Sequence, residues 1–276
     1  MLPKQSKQQG FSLVEIMIAS ALGLILTGAA IQFMVSSNQT YQVSDDLARV
    51  QENGRVAMDM LARDIRMAGY QESTSGAKPI AISSENCSTN KPCSSEGSGN
   101  ASDTLALQFV TSASASTDCL GRSPTLLSGG AVGDIIVNVY TVQNNDNGTP
   151  GDTSDDFNSL YCEGYDASVG SAITGGKQPL VDGIDRMQVL YRVEASSKFE
   201  YKSFDRLAGD DFINISAIRI GLLVSNGQAT GKAGPKDRKY QVLDSPNTVD
   251  ITGDTQVRRI YTTTIQLNNR HAGEKL

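Results

Sequence analysis

The sequence has no tryptophan, no CxxC pair of cysteines and a single histidine, His271. It also lacks the GxSxG, HExxH, Walker and GxGxxG motifs that accompany nucleophilic, metal-dependent and phosphate-binding chemistry. His271 stands near the end of the chain without a surrounding triad pattern. We therefore expect no catalytic residues, no cofactor and no zinc site, and no enzyme activity.

Basic residues are also in the minority. The chain has 24 Lys and Arg against 30 Asp and Glu, a formal net charge of −6. Nucleic-acid-binding domains carry a basic stripe or patch. Direct binding of nucleic acid is therefore not expected.

One long run is almost free of charge. Between Phe11 and Val35 the only charged residue is Glu15, and the run is long enough to cross a bilayer as a helix. Lys4 and Lys7 precede it, whereas residues 36–46 contain no Lys or Arg. This asymmetry places the N-terminus in the cytoplasm and the body in the periplasm.

Glu15 is costly within such a span. A carboxylate at membrane depth costs roughly 2.5–3.5 kcal/mol on insertion scales, so a partner cation is expected. Cleavage between Gly10 and Phe11 would create an amine one helical turn away, which a neighbouring subunit could present to Glu15. The alternatives are an ordinary single-span anchor with Glu15 at the interface, and a secretory signal, whose apolar region is normally shorter.

The same residues resemble a known family. The chain begins with a short basic leader that ends in Gly10, and the sequence FSLVEIMI follows it. Together they are similar to the class III signal of type IV pilins and type II secretion pseudopilins. The resemblance implies that prepilin peptidase cuts after Gly10 and N-methylates Phe11. It also implies that Glu15 sets the register between subunits during assembly.

The helix is predicted to continue beyond the membrane. Residues 39–68 contain no proline, Gly69 is a suitable C-terminal cap, and apolar residues recur at helical spacings, at Leu47, Val50, Met58, Leu61, Ile65 and Ala68. We predict a leader at 1–10, a transmembrane helix at 11–35, a periplasmic helical half at 36–68 and a β-rich domain at 69–276.

The domain after Gly69 begins with a loop rich in Ser, Gly and Asn at 73–103. Period-two alternation then predicts half-buried antiparallel strands at 105–111, 134–142, 184–193, 215–224 and 259–267. A long helix followed by such strands predicts an α+β fold in which the helix packs on an antiparallel sheet.

Four cysteines in an exported body favour disulfides. They allow three connectivities. Proximity favours Cys87–Cys93, which leaves Cys119–Cys162.

An acidic cluster in the predicted turn at 144–156 could form a calcium-binding site. Its members are Asp146, Asp152, Asp155 and Asp156. They do not follow the alternating ligand spacing of a calcium loop, so a solvated hairpin loop is favoured over a metal site.

Several body segments resemble those of PilW-type minor pilins: RVAMDMLARDIRMAGY, SLYCEG, QPLVDGIDRMQVLYRVE, ISAIRIGLLVSN and RRIYTTTIQLNNR. The resemblance implies a low-abundance subunit that joins other minor pilins in a complex priming pilus assembly at the filament tip. It implies the major pilin, the inner-membrane assembly platform and prepilin peptidase as partners, and roles in twitching motility, adhesion or DNA uptake. The alternatives are a type II secretion minor pseudopilin and a tip adhesin that uses the loop at 144–156.

Overall fold

In the part of the chain that it describes, the computed structural model has one long helix, α1 (Leu13–Met67), followed by eleven strands. It describes residues 10–71, 82, 87, 92–99, 101–112, 117–123, 134–145, 148, 156–167, 170–195, 198–227, 237–245, 249–252 and 256–269. The chain divides into two compact units, of which the first ends at Asp46 and the second, the body, begins at Leu47. Helix α1 contributes to both units.

The first unit is the N-terminal part of α1. Among the described residues, α1 is the one helix long and apolar enough to cross a membrane by length and composition. Every residue from Gly10 to Gln42 is exposed. This part of α1 therefore presents an exposed apolar surface as far as Val35.

The body contains eleven strands: β1 (Leu105–Val110), β2 (Ile135–Asn145), β3 (Phe157–Asp166), β4 (Ser171–Ala172), β5 (Gln178–Asp182), β6 (Ile184–Ala195), β7 (Lys198–Lys202), β8 (Ile215–Ser225), β9 (Asp237–Tyr240), β10 (Val249–Thr252) and β11 (Arg258–Gln266). Two single-turn 3₁₀ helices, Phe204–Arg206 and Gly209–Asp211, connect β7 to β8. The five predicted strands correspond to β1, β2, β6, β8 and β11. The other six strands were not predicted.

All strand pairs are antiparallel. One sheet has the order β1-β2-β3-β4, with β5 also paired to β3, and a second has the order β11-β8-β6-β7. Strands β9 and β10 form a two-stranded sheet. The predicted α+β class, a long helix with antiparallel sheets, is confirmed.

The body's core lies between α1 and the two sheets. The helix contributes Val50, Ala57, Leu61 and Ile65 to the apolar core, and Ala68 follows directly after its last residue. Residues of both sheets, among them Tyr140, Leu160 and Val189, belong to the same cluster. The predicted helical stripe was right for Val50, Leu61, Ile65 and Ala68, but Leu47 is 40 % exposed.

Two glycines shape α1 in the body. Gly54 lies under the ring of Tyr261, where a Cβ atom would stand 2.6 Å from Cε2, so any larger residue forces that ring to shift. Gly69 has a φ of +74° and follows the last helical turn, as its predicted role as a cap requires. The helix therefore ends within one residue of its predicted end.

Candidate assembly site

The three residues predicted for processing and assembly, Gly10, Phe11 and Glu15, lie at the N-terminal end of α1. Gly10, Phe11 and Ser12 precede the helix, and the Ser12 carbonyl accepts hydrogen bonds from the backbone N–H groups of Glu15 (3.0 Å) and Ile16 (3.2 Å). Glu15 is thus an acidic residue in the first helical turn, where the helix dipole favours negative charge. Residues 10–12 thus stand outside the helix, and the helix that follows them at once carries one carboxylate in its first turn.

The surroundings of this turn are apolar and uncovered. Phe11 is 80 % exposed, and large apolar side chains remain exposed along the next six turns, up to Val35 at 48 %. A contiguous apolar surface of this extent is not left to water in soluble proteins. Lipid or other apolar helices must cover it.

In the body, a buried carboxylate on α1 connects the helix to the first sheet. Asp64, 6 % exposed, accepts hydrogen bonds at Oδ2 from the hydroxyl group of Tyr140 (2.5 Å) and from Nδ2 of Asn138 (2.8 Å), both on β2. Burial raises the pKa of Asp64, and the two hydrogen bonds partly offset that increase. Burial also raises the pKa of Tyr140 well above its usual value, which keeps its hydroxyl group a donor.

The Cys119–Cys162 disulfide lies next to the hydrogen bonds between Asp64 and β2. Cys119 is bonded to Cys162, and Cys162 lies directly opposite Tyr140 in the register of β2 and β3. The backbone N–H of Cys119 donates to Oδ1 of Asn138 (3.1 Å), whose amide nitrogen in turn donates to Asp64. Helix, sheet and disulfide are therefore held by one continuous set of contacts.

The residues beside Cys119 form a second polar contact. Asp118 pairs with Arg122 (2.8 Å) and accepts the backbone N–H groups of Leu120 and Arg122 at its other oxygen. Arg122 also donates to the carbonyl groups of Thr174 (3.2 Å) and Gly176 (2.8 Å). This clamp fixes the disulfide-bearing loop against the segment that joins β4 and β5.

The second disulfide, Cys87–Cys93, closes a short ring in the connecting segment. The structure contains both disulfides that sequence proximity favours, and no described cysteine is free. Cys87 is exposed, whereas Cys162 is buried in the core. The Cys119–Cys162 bond therefore braces the core, whereas the Cys87–Cys93 bond constrains only the connecting segment.

Asp103 connects the two sheets. Its backbone N–H donates to the carbonyl group of Met187 (2.9 Å), and its carboxylate accepts the backbone N–H groups of Val189 (2.7 Å) and Gly97 (2.9 Å). The side chain thus replaces a missing strand along part of the β6 edge. Burial raises the pKa of Asp103 to about 6 in spite of these hydrogen bonds.

Glu96 lies close to the same contact. Burial raises its pKa to about 7, and the nearby carboxylates of Asp103, Asp205 and Asp244 add to the increase. Arg186 is 1 % exposed and donates to the Gly99 carbonyl group (3.1 Å). This acidic cluster, like Asp64, was not predicted, because its members come together only through the pairing of distant segments.

Other predicted residues fall partly outside the described structure. Asp146, Asp152, Asp155 and His271 lie outside the described residues, as does the leader up to Gln9. Strand β2 continues to Asn145 and β3 begins at Phe157, so the segment between them is 146–156, which is two residues shorter than the predicted turn at 144–156. Among the described residues there is no group of three or more His, Cys, Asp or Glu that could hold a metal ion.

Two family models match the chain. The prokaryotic N-terminal methylation motif covers residues 5–31, and the type IV pilus-assembly protein W (PilW) family covers residues 139–269. The PilW match covers just under half of the sequence, from within β2 to beyond the end of β11. The chain is similar to the PilW family over this part of its body. Its methylation signal and apolar helix are those of a single-pass inner-membrane pilin, and the family is structural rather than enzymatic.

Two Thermus thermophilus proteins are also similar to this chain. The pilin-like protein PilA3 is 27 % identical over 105 residues, which are 38 % of this chain and 43 % of that protein. The match thus spans less than half the length of that relative. The solved structure of a type IV-like pilin has a TM-score of 0.47 at 13 % identity, over 80 % of this chain and 97 % of that chain.

Proposed function

We propose that this chain is a minor pilin of the type IV pilus, an assembly subunit that joins other minor pilins in a complex priming pilus biogenesis at the filament tip. The observation that carries the proposal is the exposed apolar surface of α1 from Leu13 to Val35, with one carboxylate in its first turn, where residues 5–31 match a methylation motif. A surface of that kind is complete only when other helices or lipids cover it. In this proposal the other helices belong to pilus subunits.

The processing step gives Glu15 its partner. Prepilin peptidase cuts after Gly10, which has no side chain, and methylates the new amine of Phe11. The ammonium group of one subunit then pairs with the Glu15 carboxylate of its neighbour. Each charge alone is costly in hydrocarbon, and pairing recovers part of that cost because attraction is strong where the dielectric constant is low. The pair also sets the axial step between subunits.

The domain boundaries follow from this role. Residues 1–10 are the leader, 11–35 cross the inner membrane, 36–68 continue the helix in the periplasm, and 69–276 form the disulfide-tied domain. The Asp64 contact and the Cys119–Cys162 bond hold the helix rigidly on the sheet, which supports a subunit that transmits position from helix to body. Its partners are other minor pilins, the major pilin and the assembly platform, and its pili serve twitching motility, adhesion or DNA uptake.

Crosslinking in cells tests the proposal. A photoreactive residue replaces Leu24, which is 75 % exposed on α1, and captured proteins are identified by mass spectrometry. Minor or major pilins are expected among them, and mature protein in pilus fractions is expected to begin at N-methylated Phe11. Capture of type II secretion subunits would assign the chain to the pseudopilins instead. Capture of no pilin-like protein, or an uncut start at Met1 in pili, would contradict the proposal.

A further inference from the structure

Strand β7 (Lys198–Lys202) is the outermost strand of the sheet β11-β8-β6-β7. Lys198, Phe199 and Glu200 are exposed, and Phe199 at 59 % is the most exposed large apolar side chain of the described body. Ile213, 49 % exposed, lies at the same corner, since Asn214 bonds to Glu194 and Glu194 is opposite Phe199. Exposed apolar side chains that cluster at a sheet edge mark a candidate contact surface.

The backbone of β7 presents unused hydrogen-bonding groups. The Glu194 N–H donates to the Asn214 carbonyl (3.1 Å), so it points away from β7. The Arg192 carbonyl likewise accepts from the hydroxyl group of Ser216 on β8 (3.3 Å).

Glu194 and Arg192 are therefore the non-hydrogen-bonded partners of Phe199 and Tyr201 in the antiparallel ladder. The N–H and C=O groups of Phe199 and Tyr201 consequently point to the open edge. In the part of the chain that the structure describes, none of these four groups has a hydrogen-bond partner. Such an edge is a template for one more strand.

The side chains of this edge are already ordered. The guanidinium group of Arg192 stacks on Phe199 (4.3 Å to the ring centroid) and that of Arg219 on Tyr201 (3.8 Å). The two rings meet edge to face at 6.2 Å. Rigid aromatic and arginine side chains dominate binding energy at protein interfaces, because little entropy is lost when they are covered.

Charge indicates which strand fits. Lysines occupy both ends of β7, and Lys202 already pairs with Asp211 (2.9 Å), whereas Lys198 is exposed. Of the exposed charged side chains of β7, Lys198 at the hairpin end is basic and Glu200, two residues further along the strand, is acidic. A basic strand next to Lys198 would be repelled, and an acidic one would gain a cross-strand pair.

We propose that the open edge of β7 receives an extended, acidic segment of another pilus subunit as an additional strand. The segment bonds to the backbone of Phe199 and Tyr201, covers the Phe199 ring with an apolar side chain and places a carboxylate beside Lys198. The proposal rests on the proposed function, which supplies the other subunit.

The test uses the full chain in piliated cells with a photoreactive residue at Glu200, and a second strain with the same residue at Leu24. The Glu200 probe is combined with Lys198→Glu, Phe199→Pro, Phe199→Ala or Lys239→Glu. Proline removes the outward N–H without breaking the ladder to β6, alanine removes the ring alone, and Lys239 on β9 is the charge-matched control. Protease resistance and intact disulfides confirm that each variant is folded.

From Glu200 we expect capture of an extended acidic segment of a pilus subunit. The yield should fall about tenfold with Lys198→Glu and with Phe199→Pro, fall less with Phe199→Ala, and stay unchanged with Lys239→Glu. Capture from Leu24 without capture from Glu200 would overturn the β7 proposal alone. Equal yields from Phe199→Pro and Phe199→Ala would overturn strand addition, and capture of a basic segment would overturn the stated chemistry. Capture from neither position would overturn the proposed function as well.

Discussion

The hydroxyl group of Tyr140 on β2 donates a 2.5 Å hydrogen bond to the carboxylate of Asp64 on α1. Both residues are buried, and 76 positions separate them in the chain. Asp64 has one further donor, the amide of Asn138, and the exposed Arg63 lies 3.7 Å from its other oxygen. The contact between the helix and the first sheet thus depends on a polar group that is costly to bury without its donors.

Removing the Tyr140 hydroxyl group should expose the free-energy cost of burying the Asp64 carboxylate. Tyr140→Phe keeps the ring but leaves Asp64 with one buried donor fewer, so we expect the free energy of unfolding to fall by about 1–3 kcal/mol. Urea unfolding of the full chain in detergent measures it. Tyr165→Phe is the control, because that hydroxyl group bonds to the half-buried Glu163 (2.7 Å), which water can reach. An equal loss in both variants would show that the burial of Asp64 is not the cause.

The sequence was sufficient for elements whose signals are local. Helix α1 was predicted at 11–68 and runs from Leu13 to Met67. The prediction was close because helical spacing and a glycine cap, here Gly69, are both recognised from residues that are near one another in the sequence. Strands β6 and β8 alternate clearly and were predicted close to their observed bounds. Local periodicity located these two strands, but the prediction that they are half-buried is wrong for β8, in which every residue except Arg219 is buried.

Strand β3 shows where such signals fail. Its residues Glu163 and Gly164 resemble a turn, yet β3 is a central strand between β2 and β5. Gly164 is required because a Cβ atom there would stand 2.3 Å from the Asp118 carboxylate. Asp64 was missed for a similar reason, since its donors are far away in sequence and a charged helical residue is normally expected to face water.

The two disulfides should contribute unequally. Their sequence separations are 43 for Cys119–Cys162 and 6 for Cys87–Cys93. Loop-closure entropy then gives upper values of about 4 and about 2.4 kcal/mol. We expect the double alanine variant of the longer bond to unfold at distinctly lower urea concentration than that of the shorter bond. A larger loss from Cys87→Ala with Cys93→Ala would contradict the assignment of the longer bond as the main covalent brace.

Stability should depend on pH through Glu96 and Asp103. Burial raises their pKa values to about 7 and about 6, whereas in the unfolded chain both carboxyl groups titrate near about 4. Between pH 4 and 7 the folded state therefore binds more protons. Its stability is greatest below this window and decreases as the pH rises through the folded-state values.

The measurement compares urea unfolding midpoints at pH 5.5 and pH 8. The native chain should be more stable at pH 5.5, and Glu96→Gln should reduce the difference by gaining stability at pH 8. Glu52→Gln is the control, since hydrogen bonding to Arg55 lowers the pKa of that exposed carboxyl group and leaves it ionised at both pH values. A native chain that is more stable at pH 8 would show that the cluster does not carry the raised pKa values.

Glu15 is the residue on which the proposed assembly role depends most directly. Glu15→Ala removes a carboxylate whose insertion into the membrane costs roughly 2.5–3.5 kcal/mol, so the chain should still insert and the body should still fold. It leaves the Phe11 ammonium group of a neighbour unpaired, so co-assembly should fall. Glu15→Gln should behave like Glu15→Ala if charge pairing matters, and like the native chain if a polar side chain suffices.

Ser20→Ala is the matched control in the same helix, because the Ser20 hydroxyl group donates a hydrogen bond within α1, to the Ile16 carbonyl (2.7 Å). Membrane insertion, co-purification of minor pilins and the number of surface pili are measured at native expression. Normal co-purification and piliation in Glu15→Ala would show that the carboxylate has no role in setting the register.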